Sequence, residues 1–137
     1  MVERPCASSG VRDRNRTRAQ LMTDIDLTEL TERRDELVVL DVRALWEFDG
    51  SYGNDCCRRQ GHIPGAIHFD VQELLTMGEV EVRERLGLPE GTEVVAYCHS
   101  GSRSQMATQA LRALGFNARN YRGSWHEYAA SDLPLEI

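Results

Sequence analysis

An α/β fold, with a central parallel β-sheet and helices on both faces, is predicted by three observations. Two apolar runs of strand length, 37–41 and 93–97, lack the alternation of a half-exposed strand and match strands covered on both sides. Segments of helical pattern stand between successive strand candidates, which calls for crossover connections and parallel pairing. The length, 137 residues with 41% hydrophobic and 28% charged side chains, suits one soluble domain with a single core.

The elements follow in order. Residues 1–21 carry Arg4, Arg12, Arg14, Arg16 and Arg18 among Ser, Asn and Pro, with only Glu3 and Asp13 opposing them, and are expected to be a disordered tail. Two acids and no apolar face argue against an organelle presequence, and no apolar stretch of signal type is present, so the cytosol is the expected compartment. The folded domain is placed at 22–137. Asp26 and Glu29 form a capping-box pattern ahead of a short helix whose apolar side is Leu27, Leu30 and Leu37. A strand follows at 37–41 and a second, short one at 66–69, after the turn Gly61-His62-Ile63-Pro64-Gly65. Helices are expected at about 70–76 and 79–86, and the next buried strand at 93–97. Residues 104–114 read as a helix with Ala107, Ala110, Leu111 and Leu114 on one side, small enough to approach a sheet, with Gly115 at its C-terminal end. A last strand is expected at 117–121 and a last helix at 124–130.

All sixteen basic residues are arginine, which removes lysine Schiff bases, lysine general bases and phosphate-loop lysines from consideration. A net charge of −6 disfavours a nucleic-acid surface, and no run approaches the ~18 apolar residues of a membrane span, so neither nucleic acid nor membrane is expected as a partner. The four cysteines, Cys6, Cys56, Cys57 and Cys98, are expected to be reduced thiols.

Chemistry concentrates in Tyr97-Cys98-His99-Ser100-Gly101-Ser102-Arg103-Ser104, where a buried strand ends in a cysteine and a polar loop opens into a helix. Backbone N–H groups curling round a thiol at the positive end of a helix stabilise the thiolate, and such settings lower a cysteine pKa from about 8.5 to roughly 3.5–7.5. A core cysteine needs no glycine-bearing cradle after it. Cys98 is therefore the expected nucleophile, at the carboxyl end of a strand where ligands of such folds bind.

The sequence resembles the single-domain rhodanese-like sulfurtransferases. The matching pieces are Leu40-Asp41-Val42-Arg43 with Trp46-Glu47-Phe48, then Gly61-His62-Ile63-Pro64-Gly65-Ala66, then Tyr97-Cys98 through Ser104, and Gly123 with the Leu133-Pro134 ending, in the family's order over about residues 24–136. The resemblance implies a rhodanese-like fold and a catalytic Cys98 that carries sulfane sulfur as a persulfide, from thiosulfate or a persulfide to cyanide or a thiol, with no cofactor and no metal. A sulfur-relay protein is a further expected partner. The chain departs from the family in an insert at about 50–60 that contains Cys56-Cys57 and Arg58-Arg59, and in Ser124 and Tyr128, where glycine and tryptophan are expected. The second departure is expected to alter packing alone.

On this reading the substrate-binding residues are His99, Ser100, Gly101, Ser102, Arg103 and Ser104, with His99, Ser100 and Ser102 facing the pocket mouth. With only His99 and Arg103 as positive groups in the loop, modest thiosulfate turnover is expected. Asp41, Arg43 and Glu47 are loop support: Arg103 is expected to pair with Asp41 or Glu47, the alternative being direct attraction of an anionic donor, and Arg43 to pair with Glu47 if that segment is helical. Cys56 and Cys57 are either exposed thiols of an irregular insert or relay thiols near the active-site rim. A zinc set of Cys56, Cys57, Cys98 and His99 lacks the usual separated-pair spacing. His62 is expected to hydrogen-bond backbone in its turn, His68 and His126 have no assigned role, and Trp46 and Trp125 are read as packing residues. Two rival functions are a cysteine-dependent phosphatase or arsenate reductase and a non-catalytic interaction module. The first places its arginine six positions after the cysteine, where this chain has Ser104, and the second would lack the cysteine.

Overall fold

A computed structural model describes residues 24–52 and 55–137. The expected tail at 1–21, with Cys6, lies outside the described residues. Strand β1 (Asp24–Ile25) leads into helix α1 (Leu27–Glu32) and a 3₁₀ turn, Arg34–Glu36. Strand β2 (Val38–Asp41) is followed by a single helical turn, α2 (Leu45–Phe48), then strand β3 (Ile67–His68) and helices α3 (Val71–Thr76) and α4 (Glu79–Leu86). Strand β4 (Glu93–Tyr97), helix α5 (Ser102–Ala113), strand β5 (Asn117–Tyr121) and helix α6 (Ser124–Ala130) complete the order.

The described strands form one sheet in the order β1-β5-β4-β2-β3, parallel throughout. The continuous apolar runs sit at its centre, with Val38 opposite Val94 and Asp41 opposite Tyr97. Because successive side chains of a strand point to opposite faces, β4 feeds two cores. Val94, Ala96 and Cys98 join Leu40, Val42, Ala107 and Leu111 on one side. Val95 and Tyr97 join Val39, Trp125 and Tyr128 on the other. Ala107, fully buried, lets α5 lie close to the sheet. Among the described residues no helix is long and apolar enough to cross a membrane.

Asp26 caps α1 by accepting the N–H of Glu29 at 2.8 Å. The reciprocal half of the expected capping box does not form, because the Glu29 carboxylate is taken by Arg33 at 2.8 Å and Arg119 at 2.6 Å. Leu37 is not on the helix: the 3₁₀ turn ends before it, and it leads into β2. Arg33 also holds Glu93 at 2.6 Å, so two arginines and two carboxylates tie α1 to β4 and β5. The hydrogen bond from Arg119 leads in holding Glu29 below the usual carboxylate range, and that from Arg33 does so for Glu93. A carboxylate whose folded pKa is depressed adds stability that is present above its unfolded pKa and lost as pH falls through the folded one. The melting temperature is therefore expected to decline below about pH 5, and an Arg119→Gln variant should show a shallower decline in a thermal melt series, since a link of that network is already gone.

Candidate active site

The strand register brings the site together. Asp41 and Tyr97 are neighbours at the carboxyl ends of β2 and β4, and the N–H of Val42 donates to the Tyr97 carbonyl at 3.0 Å, so the residues after each strand start side by side.

Cys98 begins the loop between β4 and α5. Its Sγ accepts the N–H of Gly101 at 3.1 Å and that of Ser104 at 3.4 Å. The Ser104 hydroxyl lies 3.4 Å from the same sulfur, with Asn120 Oδ1 at 2.7 Å and the Gly101 carbonyl at 3.2 Å also within reach of its one proton. Burial disfavours the charged sulfur, but the donors from Ser104, Gly101 and Ser100 outweigh it and hold the Cys98 thiol below its ordinary pKa. Cys98 is only 1% exposed and belongs to the buried cluster that holds Val94, Ala96 and Leu111. Gly101 has φ +100°, and a Cβ there would stand 2.7 Å from the Arg122 carbonyl, so both the turn and the approach of the β5–α6 segment require glycine.

The other expected residues take distinct places. Ser100 and Ser102 are exposed and His99 half-buried, so these line the outer side of the loop. Ser104 is fully buried and supports the sulfur from within the fold, whereas it is expected among the substrate contacts. Arg103 forks onto Glu47, with N–O distances of 2.9 and 3.2 Å. The salt bridge to Arg103 offsets the burial of Glu47 and holds its carboxyl below the usual range. Arg43 does not pair with Glu47. Its Nε and one terminal nitrogen grip both Asp41 oxygens at 2.7–3.1 Å, and that terminal nitrogen also donates to the Gly61 carbonyl at 2.6 Å. Spacing of four pairs side chains only inside a helix. Arg43 precedes α2, and there the nearest carboxylate is the one two residues back at the strand end.

The vicinal thiols differ in setting: Cys56 is exposed, whereas Cys57 is buried in the core, which departs from the one of the two readings that had both thiols exposed. The insert is anchored there, since Arg59 donates to the carbonyls of Ala129 at 3.1 Å and Leu133 at 2.8 Å, and the Trp125 indole donates to the Arg59 carbonyl at 3.0 Å. Burial, with Cys56 alongside, pushes the Cys57 thiol up to about 11. Cys56 Sγ lies 3.2 Å from His99 Nε2, which puts the insert against the Cys98 loop. His62 bonds to the Phe48 carbonyl at 2.7 Å while stacking on its ring. Trp125 is a core residue, but Trp46 is 44% exposed and meets Tyr52 edge-on at the surface instead of packing inside.

A family model for the rhodanese-like domain matches residues 26–131. The chain belongs to the rhodanese-like family. A thiosulfate sulfurtransferase of Corynebacterium glutamicum is 37% identical over 115 residues, covering 73% of this chain and 38% of that protein. A 3-mercaptopyruvate sulfurtransferase of Escherichia coli is 33% identical over 87 residues, covering 57% of this chain and 31% of that protein. Among solved structures, one described as "Probable Thiosulfate Sulfurtransferase" superposes with a TM-score of 0.76 at 38% identity, covering 99% of this chain and 54% of that one. The human single-domain sulfurtransferase TSTD1 superposes with a TM-score of 0.60 at 28% identity, covering 81% of this chain and 98% of that one. The chain spans about two fifths of the length of the first curated relatives it matches.

Within this rhodanese-like domain, Ser124 does more than alter packing. It sits at φ +56°, the left-handed region where glycine is at ease, and its hydroxyl accepts the Cys98 N–H at 3.1 Å while donating to the Tyr121 carbonyl at 2.8 Å. The N–H groups of Trp125 and His126 add bonds to the Cys98 and His99 carbonyls at 2.9 and 3.0 Å, so the start of α6 clamps the loop. Asn120, 2% exposed, supports the loop as well by donating to the Gly101 carbonyl at 3.3 Å. An asparagine inside a strand was the available signal for it. Ser124→Ala is expected to cost about 1–3 kcal/mol, since it leaves the buried Cys98 N–H without an acceptor while keeping the strained φ. Ser124→Gly, which relieves the backbone, should lose less, and calorimetric unfolding of the pair checks the order.

Proposed function

We propose that this domain is a sulfurtransferase that carries sulfane sulfur on Cys98. The observation that carries the reading is the convergence of the Gly101 and Ser104 N–H groups on one thiol sulfur, with the Ser104 hydroxyl beside it. In the first half-reaction the Cys98 thiolate attacks the outer sulfur of a donor. With thiosulfate, the S–S bond breaks, sulfite leaves with the bonding pair, and Cys98–S–S⁻ remains. In the second, cyanide or a thiolate attacks the terminal sulfur, leaves as thiocyanate or a persulfide, and returns the Cys98 thiolate. No proton transfer is needed in either bond change, so assistance comes from dipoles already aimed at the sulfur. His99, Ser100 and Ser102 would meet donor and acceptor at the outer side of the loop. Donors and acceptors are small molecules on this reading, and a sulfur-relay protein is a further acceptor.

Arg103 separates this reading from a phosphatase. A phosphate cradle needs its guanidinium free to fork onto two phosphate oxygens. Here both arms are engaged by Glu47. The test is turnover of thiosulfate with cyanide, read as thiocyanate, alongside an aryl phosphate. Thiocyanate formation that falls to background in Cys98→Ser, with no phosphate released, is the expected result. Phosphate release without thiocyanate would move the assignment to the phosphatase class, and neither product would move it to an interaction module.

A further inference from the structure

The insert, the Cys98 loop and α6 each contribute a soft or borderline ligand to one place. Cys56 and Cys57 come from the insert, His99 from the loop and His126 from the first turn of α6, and one ligand atom from each lies within 4.8 Å of all the others. We propose that these four side chains bind one zinc ion in tetrahedral Cys₂His₂ coordination.

The spacing fits that ion. Zn–S bonds of about 2.3 Å and Zn–N bonds of about 2.0–2.1 Å, set at tetrahedral angles, put two sulfurs about 3.8 Å apart and a sulfur and a nitrogen about 3.6 Å apart. The two Sγ atoms are 3.8 Å apart, and Cys57 Sγ is 3.7 Å from His99 Nε2. Cys56 Sγ, at 3.2 Å from the same nitrogen, is a few tenths of an ångström short. It belongs to an exposed side chain that can give by that amount. The His99 and His126 rings are tilted at 57° with centroids 5.7 Å apart, offering nitrogens from two directions. A cavity of about 140 Å³ lined by Cys56, Cys57, Arg58 and His126 opens beside the cluster, giving an ion a way in.

Adjacent cysteines bridge each other only with strain but can both face one metal. Linear spacing alone does not reveal the set, because two of its ligands come from other elements; Cys98 is not among them. On binding, Cys56 and Cys57 each release a proton, and their two thiolate charges neutralise the dication. The ion would fasten the insert across the catalytic loop, remove both thiols from any sulfur traffic, and engage His99, leaving Ser100 and Ser102 to meet donor and acceptor while it is bound.

The test uses the full chain, reduced and stripped with chelator, then titrated with zinc and read by native mass spectrometry, with cobalt as a spectroscopic stand-in. One zinc per chain is expected, in the wild type and in Cys98→Ser alike, with a cobalt spectrum showing tetrahedral d–d bands and thiolate charge transfer. Cys56→Ser and His126→Ala, both at exposed positions where folding is not at stake, should each weaken binding by at least about tenfold. Failure of the reduced wild type to hold zinc, equal affinity in those two variants, or loss of the ion in Cys98→Ser would overturn the proposal. None of these readouts depends on sulfur transfer, so the metal site and the catalytic assignment can fail separately.

Discussion

Arg43→Ala is expected to destabilise the domain by about 3–5 kcal/mol. Arg43 and Asp41 are 1% and 0% exposed, and the guanidinium satisfies both carboxylate oxygens and the Gly61 carbonyl. It also lies over the Trp125 ring, 5.0 Å from its centroid, and 5.5 Å from that of Tyr97. Truncation would leave a carboxylate uncompensated in the fold and free the Gly-His-Ile-Pro-Gly turn from the end of β2. A buried pair is costly to break but not costly to replace, so an Arg43→Met/Asp41→Leu double variant should recover part of the loss. Chemical denaturation of the three proteins measures the order. A single-variant loss under about 1 kcal/mol would mean that water reaches the pair.

Gly101→Ala carries the largest expected effect on activity outside Cys98 itself. The new Cβ would meet the Arg122 carbonyl at 2.7 Å on a backbone already at φ +100°, and the three nearest atoms are all Arg122 backbone, which cannot swing aside as a side chain can. The loop must shift, and with it the Gly101 N–H that stands 3.1 Å from Cys98 Sγ. Removing one preorganised donor from an anion site typically costs about 10²–10³ in turnover. Gly91→Ala is the control: its φ is +86°, but no atom lies within 4 Å of the added methyl, so it carries the backbone strain without the collision. Sulfur transfer by Gly101→Ala should fall by at least about two orders of magnitude while Gly91→Ala keeps it.

The central sheet and most of its helices were legible because their signals are local. The runs at 37–41 and 93–97 and the small-residue face around Ala107 and Leu111 report burial directly. β1 and α2 were not: a single helical turn has no periodicity to read, and the two residues of β1 lack the preceding Gly-His-Ile-Pro-Gly turn that marks the equally short β3. The Cys98 cradle was legible as a glycine-bearing loop between strand and helix. What surrounds it came from elements distant in sequence. Ser124 stood out only as a departure from glycine, and its hydroxyl's use depends on β5 delivering it to Cys98. Cys57 looked exposed because the insert is irregular, and it is buried because Arg59 and Trp125 tie the insert down. Arg103 was open between two carboxylates, a choice that tertiary position settles in favour of Glu47.

The most direct measurement is the intact mass of the reduced protein after incubation with thiosulfate and removal of excess donor. A single sulfur adduct of about 32 Da is predicted on the wild type, absent from Cys98→Ser and discharged by cyanide with stoichiometric thiocyanate, as a covalent two-stage cycle requires. A wild type that turns over thiosulfate without ever gaining that mass, or an adduct that persists in Cys98→Ser, would contradict the assignment of Cys98 as the sulfur carrier.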